Sequence, residues 1–179
     1  MNIHFNGIQI RDAASADCRQ LADWWNDGRV MAHAGFPNGL GTTPEEVSRQ
    51  LARECDEKGR TLIIEYCGRP IGEMNYRNIG DRTAEIGIKI CEVDHQERGL
   101  GRIVLSLLIK ELFSTGFTKI VLDTNLKNHR AQHVYELLGF QKVRVNHDSW
   151  TDQLGERQSS VDYELIPQAF RDHAIDHKI

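Results

Sequence analysis

The sequence predicts an α+β fold, a mixed α/β arrangement in which a mostly antiparallel, twisted sheet is flanked by helices. Two hairpin-like strands in the middle of the chain pass into a third strand. A long apolar helix then leads to a further strand, which is the order of a β-α-β crossover. No repeat or low-complexity linker divides the chain. We therefore expect residues 1–179 to form a single domain.

The first part of the chain is predicted to open with strand structure and to continue with two helices. Thr43 precedes Pro44 and two glutamates, which is the order of a helix N-cap, a proline in the first turn and acidic residues near the positive end of the helix dipole. In chain order, the predicted elements are a strand or strand pair at 2–10 with a turn at Asn6-Gly7, a helix at 15–26, a loop at 28–43 and a helix from Pro44 to about Glu57.

The remaining elements alternate between strands and helices. Gly68-Arg69 is a two-residue hairpin signal between the first two of these strands. In the third strand isoleucines alternate with Glu85, Gly87 and Lys89, so that one face is apolar and the other carries charge. The predicted elements are strands at 61–67, 70–79 and 84–91, a buried helix at 99–115, a strand at 119–126, a helix at 128–140 and strands at 141–150 and 159–166.

Composition narrows the class of protein. The formal net charge is −4, with 22 basic and 26 acidic residues, which argues against extensive nucleic-acid binding and suits a cationic or amine-bearing substrate. The cysteines are widely spaced and form no C-x-x-C pair, so free thiols in a reducing cytoplasm are expected. No apolar run approaches the roughly 20 residues that span a bilayer. We expect a cytoplasmic protein with no membrane partner.

Residues 96–101 read Q-E-R-G-L-G and join the strand 84–91 to the apolar helix. Gly99 and Gly101 leave the backbone open to close approach, and the N–H groups and dipole of the first helical turn favour an anion such as a pyrophosphate. Arg98 and Arg102 could add ionic contacts to outlying phosphates. The same glycines could instead serve only to let the helix and sheet pack. The P-loop and dinucleotide glycine patterns are absent from the sequence.

Two motifs in this region resemble those of a known family. Q-E-R-G-L-G resembles the [QR]-x-x-G-x-[GA] acyl-CoA pyrophosphate loop of the GNAT N-acetyltransferase superfamily. N-H-R-A-Q-H-V-Y-E-L-L-G-F, which begins at Asn128, is similar to its N-x-x-A-x-x-x-Y-x-x-x-G-F segment. The motifs occur in the family's order, and the resemblance covers about residues 8–166. LADWWNDGRV and AEIGI are similar to the ribosomal-protein N-terminal and aminoglycoside-type branches.

The resemblance implies a GNAT-like acyl-CoA N-acyltransferase domain whose sheet splays between the strands at about 84–91 and 119–126. Acetyl-CoA would lie in the splay as co-substrate, with its pyrophosphate on the backbone of residues 97–102 and its pantetheine arm on a free strand edge. No metal is implied. The residues expected to contact acetyl-CoA are Ile88, Lys89, Ile90, Gln96, Glu97, Arg98, Gly99, Leu100, Gly101, Arg102, Asn128, Ala131 and Tyr135.

The implied chemistry is direct attack of a neutral amine on the thioester, which needs a base for the ammonium proton and an acid for the leaving thiolate. Tyr135 matches the family's usual acid, and a phenol with a pKa of about 10 can donate without ionising at neutral pH. Glu85 is the first candidate base and Glu73 the second, since adjacent strands could bring both carboxylates to one pocket. His95 is a third candidate. Alternatively, these carboxylates are surface groups and the tyrosine only packs on its helix.

The acceptor side is expected to be bordered by Trp24, Trp25 and Phe36, together with the two candidate carboxylates. Either tryptophan could instead anchor the first helix to the sheet. His129 and His133 stand four residues apart on a predicted helix. No third ligand is evident beside them, so no metal site is predicted.

The sequence thus predicts an N-acetyltransferase acting on a primary amine of a small molecule or a peptide N-terminus. Aminoglycosides, polyamines, amino acids and protein N-termini would all fit an acidic cleft, so the acceptor stays open. The alternative is a non-catalytic GNAT-like module that senses acyl-CoA or binds a partner, and the joint presence of Tyr135 and Glu85 favours catalysis. The last strands could pair across a homodimer.

Overall fold

Eight strands form one sheet in the computed structural model, which describes residues 1–175 of the chain. The strands are β1 (Asn2–Phe5), β2 (Ile8–Asp12), β3 (Gly59–Tyr66), β4 (Arg69–Asn78), β5 (Thr83–Ile90), β6 (Lys119–Asn125), β7 (Gln141–Thr151) and β8 (Arg157–Leu165). Their order in the sheet is β1-β2-β3-β4-β5-β6-β8-β7. All neighbours are antiparallel except β5 and β6, which are parallel. The predicted α+β class and its single parallel crossover are confirmed.

Helices cover both faces of this sheet. They are α1 (Cys18–Asn26), α2 (Gly28–Met31), α3 (Pro44–Leu51), α4 (Leu100–Ser114) and α5 (His129–Leu137). The larger apolar layer lies between the sheet and helices α4 and α5, where Val104 and Leu108 are fully buried. The smaller layer packs α1 and α3 onto the opposite face, around Leu21, Val47 and Ile63. The sheet therefore has a helix-α4 face and a helix-α1 face.

Three local predictions were wrong in their boundaries. The segment 28–43 is not all loop, since it contains α2 and a 3-10 turn at Ala32–Ala34. α3 ends at Leu51 rather than near Glu57, because the Glu54 carboxylate accepts hydrogen bonds from the N–H and hydroxyl of Thr61, each 2.7 Å long, and draws the chain onto β3. The β3–β4 hairpin turns at Cys67-Gly68, because Arg69 already pairs with Tyr66 in the ladder.

β5 and β6 pair over a short ladder only. It runs from the Thr83–Lys119 pair to the Glu85–Val121 pair, and beyond that point the strands diverge while β5 continues to Ile90. The last five residues of β5 therefore lack a β6 partner among the described residues, and the predicted splay is confirmed. α4 is the next α-helix after β5, reached through a 3-10 turn at Val93–His95 and the glycine loop, so its amino end lies at the open end of the splay.

β7 forms one edge of the sheet, and most of its side chains are exposed. Such an edge is the place where the last strands of two copies could pair, and the homodimer stays a prediction. All four cysteines are free thiols, as expected. Within residues 1–175, no helix is both long and apolar enough to cross a membrane.

Candidate active site

Glu85 lies at the vertex of the splay. It belongs to the last β5–β6 pair, opposite Val121, and its side chain is on the helix-α1 face because the alternating Ala84 and Ile86 are buried on the other face. Arg77 of β4 holds the carboxylate, with its Nε donating to Glu85 Oε2 at 2.8 Å. A third of the side chain is exposed. Glu85 is thus fixed in orientation and open to a ligand.

The glycine loop leads from β5 into α4 with its first-turn N–H groups uncapped by side chains. Gly99 is the N-cap residue, in the left-handed region at φ 76°, and supplies no side-chain acceptor. A methyl group added at Gly101 would meet no atom within 4 Å. The loop therefore presents a helix amino end with open space above it, and this arrangement fits a pyrophosphate.

The other residues of the loop hold it in place or border it. The Gln96 amide donates to the carbonyl of Ile90 at 2.9 Å and fastens the loop to the end of β5. Glu97 pairs with Arg130 of α5 at 3.3 Å. The Arg102 side chain lies 3.6 Å from the position of a Cβ at Gly99, and Arg98 is exposed. Two cations therefore border the open helix end.

α5 lies across the splay from this loop, and its start is fixed by Asn128. The Asn128 side-chain oxygen accepts from the N–H of Ala131 at 3.2 Å, which is the N-cap predicted for that residue. His129 and His133 are both exposed on this helix. The cap determines where the second motif begins and hence where Tyr135, almost two turns later, is placed.

Tyr135 is buried in an aromatic cluster on the helix-α4 face. Its ring centroid lies 5.8 Å from that of Phe140 and 5.7 Å from that of Tyr163. Burial, and then the Asp123 carboxylate and the Tyr163 hydroxyl, raise the pKa of Tyr135. The phenol therefore keeps its proton across the physiological range and remains a proton donor there.

Asp123 is a site residue that the sequence analysis missed. It lies two residues beyond Val121 on β6, past the last β5–β6 pair, and on the same face as Glu85. Its side chain reaches solvent, yet loss of hydration within the splay, together with the Asp162 and Glu85 carboxylates, raises its pKa. Only the parallel register brings these carboxylates together. The sequence did contain a signal for this residue. Ile120 and Leu122 mark the buried face of β6, so the aspartate that follows them must point to the opposite face.

Glu73 lies apart from Glu85. The β4–β5 register places it opposite Lys89, four residues along β5 and hence about 13 Å away at the rise of a strand. Only 2% of Glu73 is exposed, and its carboxylate accepts from Lys89 Nζ at 2.8 Å and from Trp25 Nε1 at 3.4 Å. The expected joint pocket of the two glutamates does not form. Glu73 instead anchors Lys89 and Trp25.

A cavity of about 780 Å³ opens on the helix-α1 face, between α3 and strands β3, β4 and β5. Glu73 and Trp25, two of the predicted acceptor residues, line this cavity, and Arg77 joins it to the vertex of the splay. Its lining is rich in cations, which differs from the acidic cleft that the sequence predicted. The basic residues are Arg49, Arg53, Lys58, Arg60, Arg77 and Lys89, and the acidic ones are Glu46, Glu54 and Glu73.

The remaining predicted acceptor residues lie outside this cavity. Trp24 is buried and donates from Nε1 to Glu92 at 2.9 Å, so it anchors α1 to the segment after β5. Phe36 is exposed on the loop that follows α2. The β7–β8 hairpin fastens this loop, since Gln153 donates its N–H to the Gly35 carbonyl at 2.9 Å. The loop itself lies against β6 through its 3-10 turn.

His95 precedes the glycine loop and packs edge-on against Tyr66, with ring centroids 5.9 Å apart. Its Nδ1 is buried and has no hydrogen-bond partner within the described residues. His95 lies beyond the carboxyl end of β5, whereas Glu85 and Asp123 lie at the vertex, near the amino end of that strand. Among the candidate bases, the two carboxylates at the vertex are therefore better placed.

The single parallel strand pair, the splay beyond it and the glycine loop at the start of α4 define the fold class, and comparison of the sequence identifies the family. A model of the acetyltransferase (GNAT) family matches residues 20–140. The chain belongs to that family, and it is an N-acetyltransferase enzyme.

Relatives and solved structures agree with this assignment. The ribosomal protein bS18-alanine N-acetyltransferase of Salmonella typhimurium is 32% identical over 68 residues, which are 38% of this chain and 46% of that protein. The L-amino acid N-acyltransferase of Escherichia coli is 28% identical over 74% of this chain and 79% of its own length. The spermidine N-acetyltransferase of Vibrio cholerae, solved with CoA and spermine, superposes with a TM-score of 0.79 at 21% identity and covers 91% of this chain and 97% of that one.

Proposed function

We propose that this enzyme transfers the acetyl group of acetyl-CoA to a primary amine by direct attack, in the cytoplasm. The observation that carries the proposal is the junction of β5 and α4, where an uncapped helix amino end faces open space at Gly101 beside an unpaired strand edge. The Vibrio cholerae structure of the same fold contains CoA. Acetyl-CoA would supply the activated acetyl thioester.

The loop residues 97–102 would bind the pyrophosphate through backbone N–H groups, with Arg98 and Arg102 beside it. The free edge at Ile88–Ile90 would hydrogen-bond the pantetheine arm. The Ile90 carbonyl already accepts from Gln96, and the Lys89 backbone faces β4, as does that of Cys91, whose N–H donates to the Ile71 carbonyl, so Ile88 offers the free backbone groups of this edge. Asn128 and Ala131 would border the arm at the start of α5.

Glu85 and Asp123 would share the role of base at the vertex. One carboxylate takes the proton from the substrate ammonium and passes it to solvent, and the amine nitrogen then forms a bond to the thioester carbon. As the carbon–sulfur bond breaks, the nitrogen releases its second proton to solvent and becomes the neutral amide. Tyr135 donates its proton to the departing thiolate and regains one from solvent. The raised pKa of Asp123 brings that carboxyl nearer to the value that suits a base at neutral pH.

Calorimetry with acetyl-CoA and a free-thiol assay of CoA release over an amine panel test the proposal. We expect saturable binding of acetyl-CoA and release of CoA only when an amine is present. Replacing Glu85 by Gln or Asp123 by Asn should lower kcat/KM by about 100-fold for the residue that acts as base. Absence of acetyl-CoA binding at millimolar concentration would reject the function outright. Binding without transfer to any amine would favour the non-catalytic alternative.

A further inference from the structure

The cavity beneath α3 is lined by six basic residues, and three of them form no ion pair with the described residues. Arg60 pairs with Asp56, Arg77 with Glu85 and Lys89 with Glu73. The three other cations of the lining, Arg49, Arg53 and Lys58, form no ion pair with any residue of 1–175. They lie on α3, on the turn after it and just before β3, and all three are exposed.

The three acidic residues of the lining are already engaged in holding the fold. Glu46 closes the capping box of α3, where its carboxylate accepts from the Thr43 N–H at 2.9 Å. Glu54 bonds Thr61, and Glu73 bonds Lys89 and Trp25. These acids are not free to turn towards the unpaired cations. The cavity is therefore a positively charged site, and a polycation such as spermidine would meet repulsion there.

The cavity leads from these cations to the reaction centre. Its floor crosses three neighbouring strands, β3, β4 and β5, which is a width of about 10 Å at the usual strand spacing. Arg77 belongs to the floor and also holds Glu85 at the vertex. A volume of about 780 Å³ lies in the range of small-molecule sites.

We propose that the acceptor is a small primary amine that carries a carboxylate or phosphate group remote from its nitrogen. The anionic group would be bound by Arg49, Arg53 and Lys58, while the amine reaches Glu85 and Asp123 at the vertex. Arginine suits this role because its planar guanidinium binds carboxylate and phosphate oxygens in pairs. This inference rests on the proposed transfer to an amine and adds the chemical class of the acceptor.

Matched acceptors test the charge requirement directly. The free-thiol assay would compare ε-aminocaproate with its uncharged amide, with an aminohexyl phosphate and with spermidine. We expect kcat/KM for at least one anionic amine to exceed that for the amide by about 10-fold or more. The carboxylate and phosphate arms identify which anion the site prefers. Higher activity on the amide or on spermidine would overturn the inference and leave the transferase function intact.

The double variant R49Q/R53Q tests the residues. It should lower kcat/KM for the anionic amine by about 10- to 100-fold and change the value for the amide by less than about 2-fold. Arg19→Gln is the matched control, because Arg19 is an exposed arginine of α1 outside the cavity. Equal losses on both acceptors would contradict the proposal.

A binding measurement keeps the two proposals separable. If no amine is acetylated, calorimetry with the CoA-loaded protein would compare ε-aminocaproate and its amide as ligands. Preferential binding of the acid that R49Q/R53Q abolishes supports the anion site even where transfer fails. Absence of binding by every anionic amine would refute the anion site.

Discussion

Glu85 and Val121 form the last pair between β5 and β6, and the sheet opens immediately beyond them. This pair is the point at which a continuous sheet becomes a cleft, so it determines which side chains can reach a ligand in the splay. Glu85 lies at the edge of the opening on β5. Asp123 lies on β6, two residues after Val121 and on the same face of the sheet. Glu85 and Asp123 are therefore the two carboxylates that this geometry places at the opening.

Gly101→Ala should separate stability from acetyl-CoA binding. Gly101 is in helical conformation at the start of α4, with no atom within 4 Å of an added methyl, so alanine should stabilise the fold by about 0.5–1 kcal/mol. The same methyl would enter the space proposed for the pyrophosphate and should raise the Kd for acetyl-CoA about 10-fold or more. Chemical denaturation and calorimetry measure the two effects. An unchanged Kd would show that the pyrophosphate does not lie on this residue.

Tyr135→Phe should lower turnover without weakening acetyl-CoA binding. The change removes only the hydroxyl, and we expect kcat to fall by about 100-fold with the Kd for acetyl-CoA within about 2-fold of the wild-type value. The measurements are steady-state kinetics and calorimetry. Tyr163→Phe is the control, since its hydroxyl donates to Glu136 at 3.2 Å on the same aromatic cluster. Equal loss of turnover in both variants would assign the effect to packing.

Lys89→Met should destabilise the protein by leaving Glu73 buried without its cation. We expect a loss of about 2 kcal/mol in the free energy of unfolding, reduced from the value for a fully buried pair because a quarter of the Lys89 side chain is exposed. Adding Glu73→Gln should restore much of this loss. Urea denaturation of the wild type, the two single variants and the double variant gives the coupling free energy between Lys89 and Glu73. Additive effects of the two substitutions would argue against a stabilising ion pair. Lys119→Met, in an exposed 3.9 Å pair with Glu164, should cost less than about 0.5 kcal/mol.

Asp123→Asn should stabilise the protein at neutral pH and lose this effect in acid. The folded state raises the pKa of Asp123, so it binds the proton more tightly than the unfolded chain, and the ionised carboxylate opposes folding as pH rises through its titration. We expect a gain of about 1 to 2 °C in Tm at pH 7 that disappears towards about pH 4. Thermal unfolding across this range measures it.

Asp17→Asn should have the opposite effect on thermal stability. The hydrogen bonds from Arg11 lower the pKa of Asp17, so its contribution to stability is present at neutral pH and is lost as pH falls. The asparagine variant should therefore unfold at a lower Tm than wild type at pH 7, with a smaller difference in acid. A stabilising effect of this change, or no effect of Asp123→Asn at any pH, would contradict the electrostatic assignment.

Local sequence determined the main elements and the loop that we propose for acetyl-CoA. Isoleucine alternation in β5, the Thr43-Pro44 start of α3 and the Asn128 cap of α5 act over a few residues, and the structure has all three. The glycines of the 96–101 loop indicate a close approach to the backbone for the same reason. Boundaries such as the end of α3 were missed because a distant group, Thr61 of β3, competes for the chain there.

Only the tertiary structure decided which charged groups meet. Strand register places Glu73 opposite Lys89 and Glu85 opposite Arg77, and it brings Asp123 close to Glu85. No local sequence pattern indicates that register. The charge of the acceptor cavity follows in the same way, since a net charge of −4 over the chain does not reveal that the acids of this lining are bound to structural partners while three of its cations are not. Sequence determines the turn that would receive the donor. Packing across three strands and α3 decides the charge of the cavity that we propose for the acceptor.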